Sequence, residues 1–298
     1  MLRIIFKFFI FLYAPLIFAT QNLSINAIAA KSELSSDYCV TLLEMALMAS
    51  KLENEFISIK FTEFNYPQAR LLRELDFVSN SVAWSTADEQ RNSSLIPVKI
   101  PLFKGLLGMR VLLIREDDQA NFDKVKTLED LNHFIAGQGA HWPDTKILRE
   151  NGLRVVTAMD SKSLLKMLKR RRFDYFPRGV TEAWYDVDLY QDDSLVVERN
   201  ILLAYPSDLY FYVAAGNKNL ASRIENGLEK LINSGEFDRY FYSHPRVKES
   251  LRNLESNRRR IFYLESNDNK STMYRNNANY WYRPYTELST TSLQNDLP

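Results

Sequence analysis

The chain has 298 residues, 46% hydrophobic and 25% charged, as is typical of a globular protein with one large or two medium domains. Lysine and arginine total 38 against 37 aspartate and glutamate residues, so no charge excess favours nucleic acid or an anionic membrane as a partner. The single cysteine, Cys39, cannot form an internal disulfide, and the spacing of the three histidines matches no metal motif. We therefore expect no metal and no cofactor.

The first residues carry the pattern of an export signal. Arg3 and Lys7 precede an apolar run at 8–19, which is shorter than the roughly 20 residues of a membrane-spanning helix. We expect a signal peptide at residues 1–19, and hence a periplasmic protein without a membrane span once the signal is removed. Cleavage at this site preserves a predicted first strand. Cleavage after Ala29, or an uncleaved anchor, is the alternative.

After the export signal, strands and helices alternate. Strands are predicted at 22–28, 56–61 and 82–84, and helices begin near residues 36 and 67 between them. This alternation indicates an α/β fold with parallel strands joined by right-handed crossovers.

The end of the third strand carries the first candidate site. Ser85 and Thr86 follow the strand and Arg91 lies on the first turns of a helix, so backbone N–H groups and a guanidinium can meet there. Such a guanidinium can bind a carboxylate through two hydrogen bonds. Trp84 can form a wall of the cleft or stack on a cation or ring. Alternatively, Thr86 only caps the helix, Arg91 is solvated and Trp84 packs in the core.

Beyond residue 114 the chain turns polar and the same alternation repeats. Strands are predicted at 134–136, 155–156 and 174–176, with a polar loop at 137–144 and a turn at 177–179. Gln138 and Trp142 of the loop and Arg178 of the turn are candidate binding residues. For Arg178 the alternative is a surface salt bridge. Arg110, inside an apolar run after glycines, is expected to brace the cleft.

The last part of the chain is predicted to return to the first lobe. Strands at 195–205 and 210–214 precede a strongly periodic helix over 220–232. The polar tail contains the aromatic residues 280–282, which we expect to pack back on the body.

Two basic runs could be taken for nucleic-acid patches. They are 169–172 and 258–260. Because the net charge is balanced, solvated helix ends are the better interpretation of both. Cys39 is expected to be a small buried side chain near the start of a helix, since no histidine lies near it in the sequence.

The order of elements and several sequence phrases resemble the type II periplasmic solute-binding proteins of family 3, the group similar to amino-acid-binding proteins. The phrases are Ala83-Trp84-Ser85 followed by Arg91, residues 100–110, and Gly137-Gln138-Gly139 with Trp142 and Asp144. The resemblance covers nearly everything after the signal peptide. It implies an α/β two-lobed clamp, each lobe a mixed, mostly parallel sheet flanked by helices, with two crossings. We expect lobe I at 20–114 and 203–265, lobe II at 115–202, and a tail at 266–298.

The resemblance also implies roles for the candidate residues. In such proteins a Ser or Thr after the third strand and an Arg a few residues later hold the ligand carboxylate, which corresponds to Ser85, Thr86 and Arg91. The second lobe contributes a loop at a helix start, here 138–142, and a polar residue after a later strand, near Arg178. Amino-acid-binding relatives commonly place an acidic residue there to hold the ligand ammonium, and the sequence does not identify one.

We therefore expect a non-catalytic, monomeric periplasmic protein that captures a small polar, carboxylate-bearing solute such as an amino acid. Its partner would be an ABC-type transporter or a membrane sensor. No G-x-S-x-G elbow and no phosphate-binding glycine loop occur, and no catalytic residue is expected. The alternatives are a secreted enzyme on a similar scaffold and a degenerate clamp that acts as a protein-interaction domain.

Overall fold

A computed structural model of the chain describes residues 21–30, 36–65, 68–86, 89–190, 194–255, 258–265 and 279–282. The expected signal peptide, and the expected tail apart from residues 279–282, lie outside these ranges. Among the described residues, no helix combines the length and the hydrophobicity needed to cross a bilayer.

The first part of the chain forms alternating strands and helices, as the sequence predicts. They are β1 (Gln21–Ala30), α1 (Ser36–Ala49), β2 (Glu55–Phe64), α2 (Gln68–Glu74), β3 (Ser81–Thr86), α3 (Glu89–Ser94) and β4 (Leu95–Pro97). β1 pairs in parallel with β2 on one side and with β3 on the other. The alternating apolar residues Ile25 and Ala27 of β1 are fully buried, which explains why this segment forms an inner strand.

The next stretch builds the second lobe. Its elements are β5 (Met109–Arg115), α4 (Gln119–Phe122), α5 (Leu128–Leu131), β6 (Ile135–Gly139), α6 (Pro143–Glu150), β7 (Arg154–Ala158), α7 (Ser161–Lys169), β8 (Phe176–Gly179), α8 (Ala183–Tyr190), β9 (Leu195–Val197) and β10 (Ile201–Ala204). Local caps start two of the helices. Thr127 and Asp130 form a capping box at α5, and Asp160 accepts the backbone N–H of Ser163 at α7.

The chain then returns to the first lobe. The elements there are β11 (Leu209–Ala214), α9 (Lys218–Asn233), α10 (Glu236–Ser243) and α11 (Pro245–Glu255), and the last strand, β12 (Arg260–Tyr263), pairs with β10 instead. β11 runs antiparallel to both β3 and β4. α9 packs closely on α1 because Gly227 has no side chain there: a Cβ atom would collide with the Ala46 carbonyl oxygen.

Two sheets of mixed direction organise the molecule. The first has the order β2-β1-β3-β11-β4, and the second has the order β12-β10-β5-β8, with β9 also paired to β5. β6 and β7 form a parallel pair that a bridge from Ala136 to Tyr175 connects to the region of β8. These sheets and their flanking helices confirm the expected α/β architecture of two lobes.

The sheet membership of several strands differs from the expected lobe boundaries. β5 and β12 fall inside 20–114 and 203–265, the stretches assigned to lobe I, yet both join the second sheet, where β10 pairs with each of them. The chain therefore crosses between the sheets three times: from β4 to β5, from β10 to β11, and from α11 to β12. An apolar run predicts a strand without specifying its partner, because pairing depends on distant contacts.

Two further expectations are corrected. The segment 195–205, predicted as one strand, is interrupted where the Glu198 carboxylate accepts the backbone N–H groups of Asn200, at 2.8 Å, and Ile201, at 2.6 Å. The run 258–260 is not a solvated helix end, since Arg259 is only 5% exposed and β12 begins directly after it. The prediction that 169–172 is solvated is confirmed, because all four residues are exposed.

One hydrophobic core extends through both lobes. The same buried cluster contains Leu42 and Leu228 from the helices of the first lobe and Val111 and Phe176 from the second sheet. Cys39 is a buried side chain near the start of α1, as predicted. The two lobes are therefore joined by apolar packing as well as by the chain crossings.

The described residues of the tail pack on the body, as predicted. The Tyr280 hydroxyl donates to the Glu229 carboxylate at 2.6 Å, and the Tyr282 backbone N–H donates to the Lys104 carbonyl oxygen at 2.7 Å. The ring of Trp281 lies against Gly105 in the first crossing, where a Cβ atom would collide with it.

Candidate functional site

Ser85, Thr86 and Arg91 meet at the carboxyl end of β3. The Arg91 Nη1 atom donates to the Ser85 Oγ atom at 2.7 Å, to the Thr86 carbonyl oxygen at 2.7 Å and to the Thr86 Oγ1 atom at 2.9 Å. These three acceptors are uncharged oxygens of the strand end, and together they orient the guanidinium. The three residues that the sequence predicts for a carboxylate site are thus in direct contact.

The position of this group follows from the strand that carries it. Residues 81–85 of β3 are buried, whereas Thr86 is half-buried, so the strand reaches the surface at its last residue. α3 begins at Glu89, and Arg91 in its first turn reaches back to the strand end. Because β1 and β3 are parallel, the start of α1 lies at the same edge of the sheet as this group.

Trp84 lies in the core of the first lobe. It is fully buried, and its ring centroid is 6.2 Å from that of Phe61 and 6.5 Å from that of Phe211. Of the two roles that the sequence left open for Trp84, the structure supports core packing, since the side chain presents no surface to a solute.

Gln138 is part of a strand and not of the predicted loop. It lies in β6, is 1% exposed, and its amide donates to the Pro177 carbonyl oxygen at 3.5 Å and accepts the Gly139 backbone N–H at 3.0 Å. The glycines around Gln138 predicted a loop because glycine weakens strands. Glycine is nevertheless needed in this strand at position 139, because a Cβ atom there would collide with the ring of Trp142.

Arg178 lies in β8, where the sequence predicted a turn, and it forms a buried ion pair. Its Nε atom is 2.6 Å from the Asp186 Oδ2 atom and its Nη1 atom is 3.3 Å from the Glu182 Oε2 atom. The guanidinium also lies over the rings of Trp142, at 5.7 Å, and Phe176, at 5.2 Å. Burial raises the pKa of Asp186 above its usual value, although Arg178 opposes the shift. Arg178 therefore holds together side chains within the second lobe.

Arg110 connects β5 to other parts of the second lobe. Its Nη2 atom is 2.6 Å from the Asp144 Oδ1 atom, and its Nε atom donates to the Tyr205 hydroxyl at 2.8 Å. Burial lowers the pKa of Arg110, but Asp144, Tyr205 and Glu182 outweigh it and keep the pKa above its usual value. Because Glu182 lies 3.8 Å from Arg110 and also contacts Arg178, the two arginines belong to one group.

Both groups of candidate residues lie beside chain crossings. Thr86 pairs with Leu209, the first residue of β11 and the end of the second crossing. Arg110, at the start of β5, pairs with Gly179 at the carboxyl end of β8. The Ser85, Thr86 and Arg91 group and the Arg110 and Arg178 group thus approach the crossings from opposite lobes, and α/β sheets commonly bind ligands at such strand ends.

A pocket of about 250 Å³ lies between the lobes. Its lining includes Val180 and Thr181, which directly follow the strand of Arg178, but not Ser85, Thr86 or Arg91. Its walls include Asp37 of α1, Trp184 and Tyr185 of α8, and His244 and Arg246 at the start of α11. The Nε2 atom of His244 is 3.5 Å from the Asp37 Oδ2 atom. Burial lowers the pKa of His244 below its usual value, although Asp37 opposes the shift.

The sequence did not indicate these pocket residues. Asp37 lies at the predicted helix start near residue 36, and its place in the first turn after β1 was the available signal for a role at the strand ends. Arg246 follows Pro245 at a helix start, a pattern that separates α11 from α10. Across the described ranges, no cluster of His, Cys, Asp and Glu is arranged to hold a metal ion.

Sequence comparison gives no family: no family model matches the chain, and no curated protein matches it. Solved structures do match its fold. The periplasmic VFT2 domain of BvgS from Bordetella pertussis superposes with a TM-score of 0.54 at 16% identity, over 74% of this chain and 92% of that domain. A probable amino-acid ABC transporter extracellular-binding protein, ytmK from Bacillus subtilis, superposes with a TM-score of 0.54 at 15% identity, over 75% of this chain and 97% of that protein.

An ancestral arginine-binding protein, solved with arginine bound, also matches, with a TM-score of 0.51 at 16% identity, over 74% of this chain and 96% of that protein. At such identities the likeness concerns the fold. Together with the two sheets and the crossings between them, it shows that the chain has the two-lobed fold of type II periplasmic solute-binding proteins.

Proposed function

We propose that the protein is a non-catalytic solute-binding clamp that captures a small polar, carboxylate-bearing solute such as an amino acid between its lobes. The observation that carries the proposal is the contact of Arg91 with Ser85 and Thr86 at the end of β3. Its structural neighbours support the proposal, since they include a probable amino-acid ABC transporter binding protein and an ancestral arginine-binding protein.

The chemistry of Arg91 fits a carboxylate. The guanidinium is a planar fork with five donors, and its Nη1 atom is already fixed by neutral oxygens of the strand end. A fixed fork loses less conformational entropy when it binds a carboxylate than a freely moving one does. Ser85 and Thr86 also present hydroxyl groups, which can donate to or accept from the same solute.

The second lobe would supply a rigid wall of the solute-binding cleft. Arg110 and Arg178 are each 7% exposed and are held by carboxylates of their own lobe, so they do not offer an unoccupied cation to a second anion. Asp37, on the first lobe, is an acidic group beside the inter-lobe pocket and carries a side chain that is 67% exposed. We propose that Asp37 is the candidate partner for a solute ammonium that is separated from the carboxylate, since Arg91 does not line the same pocket.

The expected setting of the protein is also part of the proposal. Export to the periplasm depends on the basic and apolar pattern of the first residues, which the structure does not describe. The partner would be a membrane transporter or a sensor, and the protein would be a monomer. A transporter's binding protein is among the structural neighbours, which supports the first of these partners.

A binding screen with a matched pair of variants tests the function. Amino acids, dicarboxylates and small peptides are screened by thermal shift, and hits are measured by calorimetry. Arg91→Ala should weaken the binder by about tenfold or more, the effect of losing a charge-assisted hydrogen-bonded pair. Arg73→Ala, on the exposed side of α2, is the control and should leave the affinity unchanged. A protein that binds none of these compounds, or a binder indifferent to Arg91→Ala, contradicts the proposal.

A further inference from the structure

The third crossing, from α11 to β12, adds a further connection between the lobes. We define the strap as α11, β12 and the described residues Arg258 and Arg259 between them. α11 packs on α10, which packs on α9, which packs in turn on α1 of the first lobe. β12 lies in the second sheet, in parallel register with β10 from Arg260 opposite Ile201 to Tyr263 opposite Ala204.

The second-lobe end of the strap is held by a buried arginine. The Arg259 side chain is 2% exposed, and its Nη1 atom donates to the carbonyl oxygens of Glu198 and of Ile201, the latter at 3.3 Å. Its guanidinium also lies 6.0 Å from the ring of Trp184. Arg259 thus fixes the strap to the turn between β9 and β10 and to α8.

The first-lobe end of the strap touches the second lobe as well. Arg246 lies 5.7 Å from the centroid of the Tyr185 ring, across the inter-lobe pocket. On its other side α11 buries Val247 and Leu254 in the core cluster that extends through both lobes. The strap is therefore anchored along its whole described length.

We propose that the strap holds the two lobes at a fixed relative position. Clamps joined by two crossings open by rotation about hinge residues in those crossings. Here only residues 256–259 connect α11 to β12, so a rotation that exceeds the reach of this short connection would strip β12 from β10 or pull α11 out of the core. Either movement leaves buried hydrogen-bonding groups or apolar surface without partners, which is unfavourable. The pocket between α1, α8 and α11 then keeps its shape before any solute arrives.

The strap can be released without removing the support of Glu198. After Arg259→Ala, this carboxylate retains the Gln119 amide at 3.0 Å and the backbone N–H groups of Asn200 and Ile201. A second variant, Phe262→Ser, weakens the packing of β12, because Phe262 is 8% exposed. Arg258→Ala is the matched control, since Arg258 is the exposed neighbour of Arg259 in the same basic run.

The test measures the distance between the lobes with a pair of spin labels. Cysteines replace the exposed Lys51 in the first lobe and the exposed Lys162 in the second, in a Cys39→Ala background. The labelled protein with an intact strap and its Arg258→Ala variant should each give one narrow distance distribution without any solute. Arg259→Ala and Phe262→Ser should broaden it towards longer distances, with the far-ultraviolet circular dichroism unchanged.

Two results overturn the proposal. A broad or two-peaked distribution in the protein with an intact strap would show that the lobes already move, and this measurement needs no strap variant to fold. If Arg259→Ala and Phe262→Ser both fold and both keep a narrow distance distribution, the strap does not set the relative position of the lobes. Neither measurement depends on a solute, so the outcome is separate from that of the binding screen.

Discussion

Asp208 connects the first two crossings, and its protonation should affect stability. The carboxylate lies in the crossing from β10 to β11 and accepts the backbone N–H of Phe103, at 2.9 Å, and that of Gly105, both in the crossing from β4 to β5. It also accepts the N–H of Leu209 at 2.6 Å. The side chain is fully buried, and burial raises its pKa to about 7, although these hydrogen bonds oppose the shift.

The sign of the effect follows from linkage. The folded protein binds the Asp208 proton more tightly than the unfolded chain, whose aspartate pKa is about 3.9. The contribution of Asp208 to stability is therefore fully present below about pH 4 and is lost as the pH rises to about 7. A shift of about three units corresponds to about 4 kcal/mol between these limits.

Asp208→Asn keeps an oxygen acceptor and removes the charge. Urea unfolding followed by tryptophan fluorescence, at about pH 5 and about pH 8, gives the free energy of unfolding of both proteins. The native protein should lose stability relative to Asp208→Asn as the pH rises. Other titrating groups are common to both proteins and cancel in the difference. Equal pH dependence of the two proteins would refute this reasoning.

Two smaller predictions concern local packing and capping. Gly227→Ala should lower the midpoint of thermal unfolding, because the added methyl group collides with the Ala46 carbonyl, whereas Gly216→Ala, which meets nothing within 4 Å, should not. Equal midpoints would mean that α9 moves away from α1 without cost. Thr127→Ala should cost about 1 kcal/mol in urea unfolding through the lost capping box of α5, and an unchanged free energy would contradict that role.

Some of the candidate site could be predicted from the sequence because its parts are close together in the chain. Ser85, Thr86 and Arg91 lie within seven residues, so a strand end followed by one helical turn is enough to bring them into contact. Trp84 shows where local reasoning fails. The position of its side chain depends on Phe61 and Phe211, which belong to strands that the local pattern does not pair with it.

The second lobe was predicted less accurately, for a physical reason. Glycine and proline around Gln138 and Arg178 favour loops and turns on their own, and the neighbouring strands impose extended structure on them. The partners of Arg178 and Arg110, Asp186 and Asp144, are specified only by the tertiary fold. The strap was missed for the same reason, since the pairing of β12 joins residues about 60 positions apart in the chain.

The central claim is that Arg91 binds the carboxylate of the solute, and a double-mutant cycle tests it most directly. The best binder from the screen and its carboxamide analogue are titrated by calorimetry into the native protein and into Arg91→Ala. If Arg91 binds the carboxylate, replacing it by a carboxamide should weaken binding to the native protein by about tenfold or more, and the same replacement should have little further effect in Arg91→Ala. Equal losses in both proteins would show that the carboxylate is bound elsewhere.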